Sequence, residues 1–331
     1  MNEIALIGID LAKQVFQLHG VDATGTVRLR RQVRRGELLQ VLRQFAPCRV
    51  AMEACGSAHH WGREVERMGH QALLIAPQFV KPFVKGNKND RNDAEAICEA
   101  AQRPGMRFVA LKTIDQQQVL MLHRLRSGAV NERTAMANRI RGLLAEFGVI
   151  VPQGLSQLRQ ALARLVEACD EVPALVRAEL EVQRRRLVDG DAEVKRLSDQ
   201  IAQLVRADVQ AAALLHRRGV GPLIASAFVA ELGDARHFKN GRQVSAWLGL
   251  VPRQHSSGGK PRLLGISKRG DAYLRTLLIH GARAVMRTLA RHDDPLSRWA
   301  RQLAARRGIH KATVALANKM ARQMWAQLAY A

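Results

Sequence analysis

A glutamate stands inside the apolar run Val50-Ala51-Met52-Glu53-Ala54, and an aspartate, Asp10, closes the apolar run Ile4–Ile9. Short, nearly continuous apolar runs of this kind read as strands buried on both faces. A lone carboxylate in such a place costs on the order of several kcal/mol unless it meets a cation or a partner. Nothing about a β-strand explains a buried Glu. Each of these acids therefore needs a partner or a metal.

The first 110 residues, which carry both acids, read as alternating strands and helices. Val15–Val21 returns as a neighbour of the first strand, and Thr26–Val33 alternates as a third strand with a basic exposed face. Gly36–Phe45 reads as a helix and Arg49–Ala54 as another buried strand. Ser57 is placed to cap a helix that runs to about Met68, where Gly69 ends it. Ala72–Ile75 is a strand closed by Pro77, and a basic loop from Lys81 to Lys88 leads into a helix from about Arg91 to Gln102. Three strands in a row followed by alternating helix and strand predict a mixed sheet flanked by helices.

Residues 111–205 read as a helical arm. A long helix is expected over about Asp115–Phe147, and Leu180, Leu187, Val194 and Ile201 recur every seven residues, joined by Leu197 and Leu204. That seam serves equally for dimerisation or for packing of the two helices on each other. Residues 206–331 read as a second, mostly helical domain. In it Gly219-Val220-Gly221-Pro222 separates the apolar helices Val209–His216 and Leu223–Leu232. The turn resembles the hairpin of a helix-hairpin-helix, whose backbone N–H groups bind phosphate, and reads equally as a plain tight turn.

Charge narrows the partners. Lys and Arg number 52 against 29 Asp and Glu, a formal net charge of +23. From Arg253 onward there are sixteen Lys/Arg against three Asp/Glu. Such an excess attracts polyanions, nucleic acid first among them. No apolar run approaches the ~20 residues of a spanning helix, and MNEIALIGID leads straight into a strand with no sign of a signal peptide. The four cysteines, at 48, 55, 98 and 169, form no C-x-x-C pair and are expected as reduced core residues.

Two constellations carry chemistry. Asp90 and Asp93 are three apart at a helix start, and Asp93 shares a side with Ile97 and Ala100, so it is expected to point inward. With Asp10 and Glu53 they form a set of hard oxygen donors suited to Mg²⁺ or Mn²⁺. Two such ions about 3.5–4 Å apart serve phosphodiester chemistry. Taken singly, Asp10 reads equally as a strand-end acid, Asp90 as a helix N-cap and Asp93 as a first-turn acid. The second constellation runs from Gly249-Leu250-Val251-Pro252-Arg253 through Gln254-His255-Ser256-Ser257-Gly258-Gly259-Lys260. Its glycines admit a phosphate backbone, and Arg253, Lys260, Arg262, Lys268 and Arg269 can hold phosphate. Composition alone makes the Ser-Ser-Gly-Gly stretch a flexible loop.

Three acidic motifs in order, Gly8-Ile9-Asp10-Leu11-Ala12-Lys13, Met52-Glu53-Ala54-Cys55-Gly56 and Asn87-Lys88-Asn89-Asp90-Arg91-Asn92-Asp93-Ala94, resemble those of the DEDD transposases of bacterial insertion sequences, relatives of Piv-type DNA invertases. The resemblance covers nearly the whole chain. It implies an α/β RNase H-like (RuvC-like) domain over 1–110, a helical arm over 111–205 and a serine transposase domain over 206–331. It also implies that Asp10, Glu53, Asp90 and Asp93 are the metal-binding tetrad. The family's G-L-x-P-R followed by S-G matches Gly249 to Gly258 and selects Ser257 as the nucleophile, while His255 is not required by the pattern. Lys88, Arg91, Gly219 and Gly221 join the basic residues as expected nucleic-acid contacts. The resemblance further implies donor and target double-stranded DNA and a non-coding bridge RNA as partners, and a bacterial cytoplasmic location. Strands cut in concert imply a dimer or tetramer, with metal and tetrad preparing Ser257 and the scissile phosphate. Two other readings stay open: a Holliday-junction-type nuclease using water, and a non-catalytic architectural DNA-binding protein.

Overall fold

The computed structural model describes residues 3–85, 90–167 and 172–331, with Asp90 described by its backbone alone. The chain divides into two compact units at Thr113/Ile114. The helical stretch expected over 111–205 belongs, from Ile114 on, to the second unit together with all that follows.

The first unit is built on a six-stranded mixed sheet in the order β3-β2-β1-β4-β5-β6. Its strands are β1 (Leu6–Asp10), β2 (Val15–Val21), β3 (Val27–Arg34), β4 (Arg49–Glu53), β5 (Gln71–Ile75) and β6 (Phe108–Val109). β1, β4 and β5 run parallel, and β2, β3 and β6 are antiparallel to their neighbours. The helices are α1 (Leu38–Leu42), α2 (Ala58–Arg67), α3 (Pro77–Val80) and α4 (Asp90–Ala101). This arrangement is compatible with an α/β RNase H-like domain.

Strand alternation sends two apolar sets to opposite faces. Ile7, Ile9, Phe16, Leu18, Val50 and Met52 form one core with Leu38 and Leu42 of α1 and Trp61 and Val65 of α2. Leu6, Val21, Ala51, Leu73 and Ile75 form the other with Ile97, Cys98 and Ala101 of α4. β3 lies at the sheet edge and carries Arg28, Arg30, Arg31 and Arg34, charges that discourage edge-to-edge pairing. One local expectation changes. Ser57 does precede α2, but it stands in the left-handed region at φ 71° and its side chain caps no backbone N–H. Gly69, at φ 87°, ends the turn after α2 as expected.

The second unit is mainly helical: α5 (Ile114–Ala145), α6 (Leu155–Glu167), α7 (Ala174–Ala207), α8 (Val209–Leu214), α9 (Pro222–Leu232), α10 (Gly241–Trp247), α11 (Ala272–Arg287), α12 (Pro295–Arg307) and α13 (Ile309–Ala329). A two-stranded ribbon, β7 (Pro252–Gln254) with antiparallel β8 (Leu263–Ile266), projects between α10 and α11 in sequence. The heptad seam of α7 is spent inside the chain. Leu180 and Leu187 pack with Ile140 and Leu144 of α5 and Leu158, Leu162 and Leu165 of α6, and Val194, Leu197 and Ile201 are buried as well. Only Leu204 of the seam is exposed, at 39%. α9 is apolar on nearly every side and buried accordingly, with Phe228 fully enclosed.

A buried polar link ties α5 to this core. The His123 ring sits 2.9 Å through Nδ1 from Tyr273 Oη of α11 and 2.9 Å through Nε2 from Ser226 Oγ of α9. Burial, with a smaller push from Arg126, lowers its pKa to about 4. Cys98 is buried, Cys48 and Cys55 are half-buried, and all three are free thiols; Cys169 lies outside the described residues.

Candidate functional site

Asp10 and Glu53 end adjacent parallel strands. The register pairs Ile9 with Met52, so the two acids are the next residues along β1 and β4 and leave the sheet at the same level. Alternation places them on the α4 face, with Gly8 and Ala51 one step behind. Both side chains are half-buried. Their charges converge on the Cys55 thiol, whose pKa is pushed up by burial first, then by Glu53 and more weakly by Asp10.

Gly8 lets α4 join them. A Cβ on Gly8 would lie 2.5 Å from the Ala94 carbonyl oxygen and 2.8 Å from the Cys98 backbone nitrogen, so only a bare backbone admits the helix at this height. Arg91 and Ala94 line one cavity with Gln17, the cross-strand partner of Asp10. The first turn of α4 therefore lies at the carboxylate end of the sheet, and it carries the half-buried Asp93. Asp90 begins α4, but its side chain is outside the description, as is the whole of Lys88. Among the described residues, no three His, Cys, Asp or Glu side chains come together as a metal cage.

Ser257 belongs to a different kind of structure. The stretch read from composition as a loop is the tip of the β7–β8 ribbon. Ser257 bridges to Lys260, with Lys260 N donating to Ser257 O at 3.0 Å, and Gly258 and Gly259 between them stand at φ 55° and 75°. Two successive positive-φ residues make the tight hairpin turn whose twist matches the strands. Ser256 Oγ accepts from Arg262 N at 3.0 Å and lies 3.1 Å from Gln254 Nε2, so Ser256 staples the hairpin while Ser257 stands exposed at its end. Arg253, His255, Lys260, Arg262, Lys268 and Arg269 are all exposed on or beside it.

The base of the ribbon is clamped by glycine. A Cβ on Gly249 would lie 2.1 Å from the Arg269 carbonyl oxygen, and one on Gly270 1.8 Å from that of Trp247. Gly219 plays a related part: at φ 78° it packs against α11, where a Cβ would sit 2.7 Å from the Gly281 carbonyl oxygen. Gly221 has open space around it and precedes Pro222 at the start of α9. A groove beside the ribbon, lined by Leu263, Ile266, Trp299 and Val314, is rimmed by Arg242, Lys311, Lys319 and Arg322. Lys319 Nζ lies 4.3 Å from the centre of the Trp299 ring.

Residues 7–149 match the DEDD transposase family model, and residues 211–298 match the model of the IS116/IS110/IS902 transposases. The chain belongs to the IS116/IS110/IS902 family of transposases. It is 54% identical to a probable family 20 transposase of Pseudomonas aeruginosa over 98% of this chain and 97% of the relative. It is 44% identical to the transposase for insertion sequence element IS1111A of Coxiella burnetii, over 99% and 90% of the two chains. It is 42% identical to the transposase for IS1328 of Yersinia enterocolitica, over 98% and 97%. Membership in this transposase family implies binding of DNA, its cutting and rejoining, and a divalent-metal requirement. No helix among the described residues is long and apolar enough to cross a membrane.

Three residues of the acidic region escaped the motif reading. Gln17, His19 and Arg30 stand on β2 and β3, on the same face as Asp10, and only the strand register reveals it. A Gly within a buried strand run was the one available sign that another backbone approaches at Gly8.

Proposed function

We propose that this transposase cuts and rejoins DNA with two sets of residues: Asp10, Glu53, Asp90 and Asp93 as ligands of Mg²⁺ or Mn²⁺, and Ser257 as the attacking group. The observation that supports the first set is the pairing of Asp10 and Glu53 on neighbouring strand ends, with the Asp93 turn of α4 at that end. The donors fit a hard divalent ion: all are carboxylates, and Asp10 and Glu53 stand at the ends of buried strands. A bound ion there would supply Lewis-acid polarisation of phosphate oxygens. The protein's own share is to hold the carboxylates in place and to fix the strand that enters.

Ser257 is suited to attack by its exposure at the turn and by its cationic surroundings. Its Oγ forms a bond to phosphorus as the bond to the 3′-oxygen breaks. The hydroxyl proton leaves to solvent and a proton is taken up by the released 3′-oxygen. Arg253, Lys260 and Arg262 hold the phosphate from either strand of the ribbon, with Lys268 and Arg269 at its base. The turn at Gly219–Gly221 offers backbone N–H groups to a further phosphate in helix-hairpin-helix fashion. Sequence choice falls to a bridge RNA, which the +23 charge has the capacity to bind together with donor and target DNA. Two or four copies acting on bacterial chromosomal DNA would cut the strands in concert.

Wild-type, Asp10→Ala and Ser257→Ala proteins, each offered recombination substrate with Mg²⁺, test this reading. The wild type should leave a protein–DNA adduct, and both variants should bind DNA but form neither adduct nor product. Cleavage that survives Ser257→Ala, without an adduct in the wild type, would establish the water-using nuclease instead. Full recombination by Asp10→Ala would remove the metal site from the account, and absence of all strand breakage would leave an architectural protein.

A further inference from the structure

Beside the carboxylates lies a second, smaller site. A cavity of about 250 Å³ is lined by Gln17, Leu18 and His19 of β2, Arg30, Arg31 and Gln32 of β3, and Arg91 and Ala94 of α4. The register explains its composition. Asp10, Gln17 and Gln32 form one cross-strand row, and Gly8, His19 and Arg30 form the next, both on the face that α4 covers. Gly8 brings α4 close over β1, and the cavity lies beside that contact, over β2 and β3.

His19 makes this cavity more than a basic surface. The residue is only 4% exposed, and its Nδ1 is buried with no hydrogen-bond partner among the described residues. A buried ring nitrogen left unpaired costs on the order of 1–3 kcal/mol. Burial, outweighing Glu95 and helped by Arg30 and Lys85, holds the imidazole below its ordinary range. The ring is thus neutral at neutral pH and able to present one N–H. Glu95 lies 3.6 Å from Arg30 Nη2 and Lys85 bonds Glu99, so these acids already have cationic partners. Among the described residues that line the cavity none is acidic.

We propose that this cavity binds a phosphodiester group of the DNA strand being cut, a neighbour of the phosphate at Asp10 and Glu53. Arg30 and Arg91 supply the charge, Gln17 and Gln32 supply amide donors, and the His19 ring forms part of the wall between them. The spacing fits. The cavity lies one to two strand spacings from β1, about 5–10 Å at ~4.8 Å each. Successive phosphates of one strand lie farther apart than the ~3.4 Å axial rise, so that distance corresponds to about one or two nucleotides. The site would set the register of the strand over the carboxylates without reading its bases. This inference rests on the carboxylate reading above.

The test uses full-length protein and a single-stranded DNA covering the cleavage point, with the same sequence as RNA in a parallel arm. One phosphate at a time is replaced by an uncharged methylphosphonate. Wild-type binding should weaken several-fold at one position, one or two nucleotides from the cut. Arg30→Ala should lose that position's sensitivity, and the slope of log affinity against log salt should fall by about 0.7, one phosphate contact on a single strand. His19→Gln should behave in the same direction. Arg28→Ala, one alternate position along β3 and paired with Asp22 outside the cavity, should change neither. If Arg28→Ala and Arg30→Ala have equal effects, if no position is singled out, or if only RNA shows the effect, the proposal is wrong. Asp10→Ala run alongside separates the two readings. If it loses cleavage while Arg30→Ala shows none of these effects, the cavity fails and the carboxylate site stands; if Asp10→Ala still cleaves, the carboxylate reading and the inference built on it fall together.

Discussion

Asp10 and Glu53 each follow fully buried strand residues, Ile9 and Met52, and are backed by a helix that a single methyl group would displace. Ser257 stands at the tip of a ribbon whose residues from Pro252 to Gly265 are all exposed, with only its base clamped by Gly249 and Gly270. The contrast separates two demands. Carboxylates that share an ion must be fixed by packing, because their mutual repulsion would otherwise spread them. A hydroxyl that must reach a phosphate needs access, and a tight turn at the end of a clamped ribbon provides it at little cost to the core.

The largest effects should come from the proposed metal ligand and the proposed nucleophile. Asp10→Ala and Ser257→Ala should each lower strand cleavage by at least ~10²-fold, the scale of losing one electrostatic partner of a transition state. They should differ in their controls. Ser257→Ala should leave the unfolding free energy within about 0.5 kcal/mol, as expected of an exposed residue, which a denaturant titration checks. A large stability loss in Ser257→Ala would dissolve the contrast.

Gly8→Ala comes next. The added Cβ meets backbone that cannot turn aside, so about 3 kcal/mol of stability should be lost, with cleavage falling as α4 moves off β1. The corresponding change on the ribbon, Gly258→Ala, should cost only about 1–2 kcal/mol for a left-handed residue. Hydrogen exchange should show that loss confined to 252–266.

Acid should sharpen the comparison from the other side. His123 has its folded pKa lowered from 6.5 to about 4 by burial. The unfolded chain then takes up a proton that the native one refuses. Its contribution is therefore intact above about pH 6.5 and is lost as pH falls toward 4. The loss should be on the order of 2–3 kcal/mol and absent in His123→Gln. Exchange of the α9 amides should report it, and those of β1 should not.

Much of the carboxylate end was legible because a charge in an apolar run has few explanations. Asp10 and Glu53 announced themselves in that way, and the strand and helix order that carries them followed from periodicity. What lay outside that reading depends on register. Gln17, His19 and Arg30 meet Asp10's face only because β2 and β3 pair at one offset, and no single-strand pattern encodes an offset. The α7 seam was visible as a heptad, but periodicity names a buried stripe and not its partner; α5 and α6 supply that partner from the same chain. Ser-Ser-Gly-Gly suggested flexibility, whereas Gly-Gly at positive φ also suits a hairpin turn, and the flanking exposed strands were too short to signal one.

The central claim is that Asp10 and Glu53 hold a divalent ion, and Mn²⁺ binding to the full-length protein followed by electron paramagnetic resonance tests it most directly. Wild-type protein should bind Mn²⁺ with a broadened protein-bound spectrum, while Asp10→Asn and Glu53→Gln, folded and still binding DNA, should leave the ion free in solution. Undiminished Mn²⁺ binding by both variants would contradict the account.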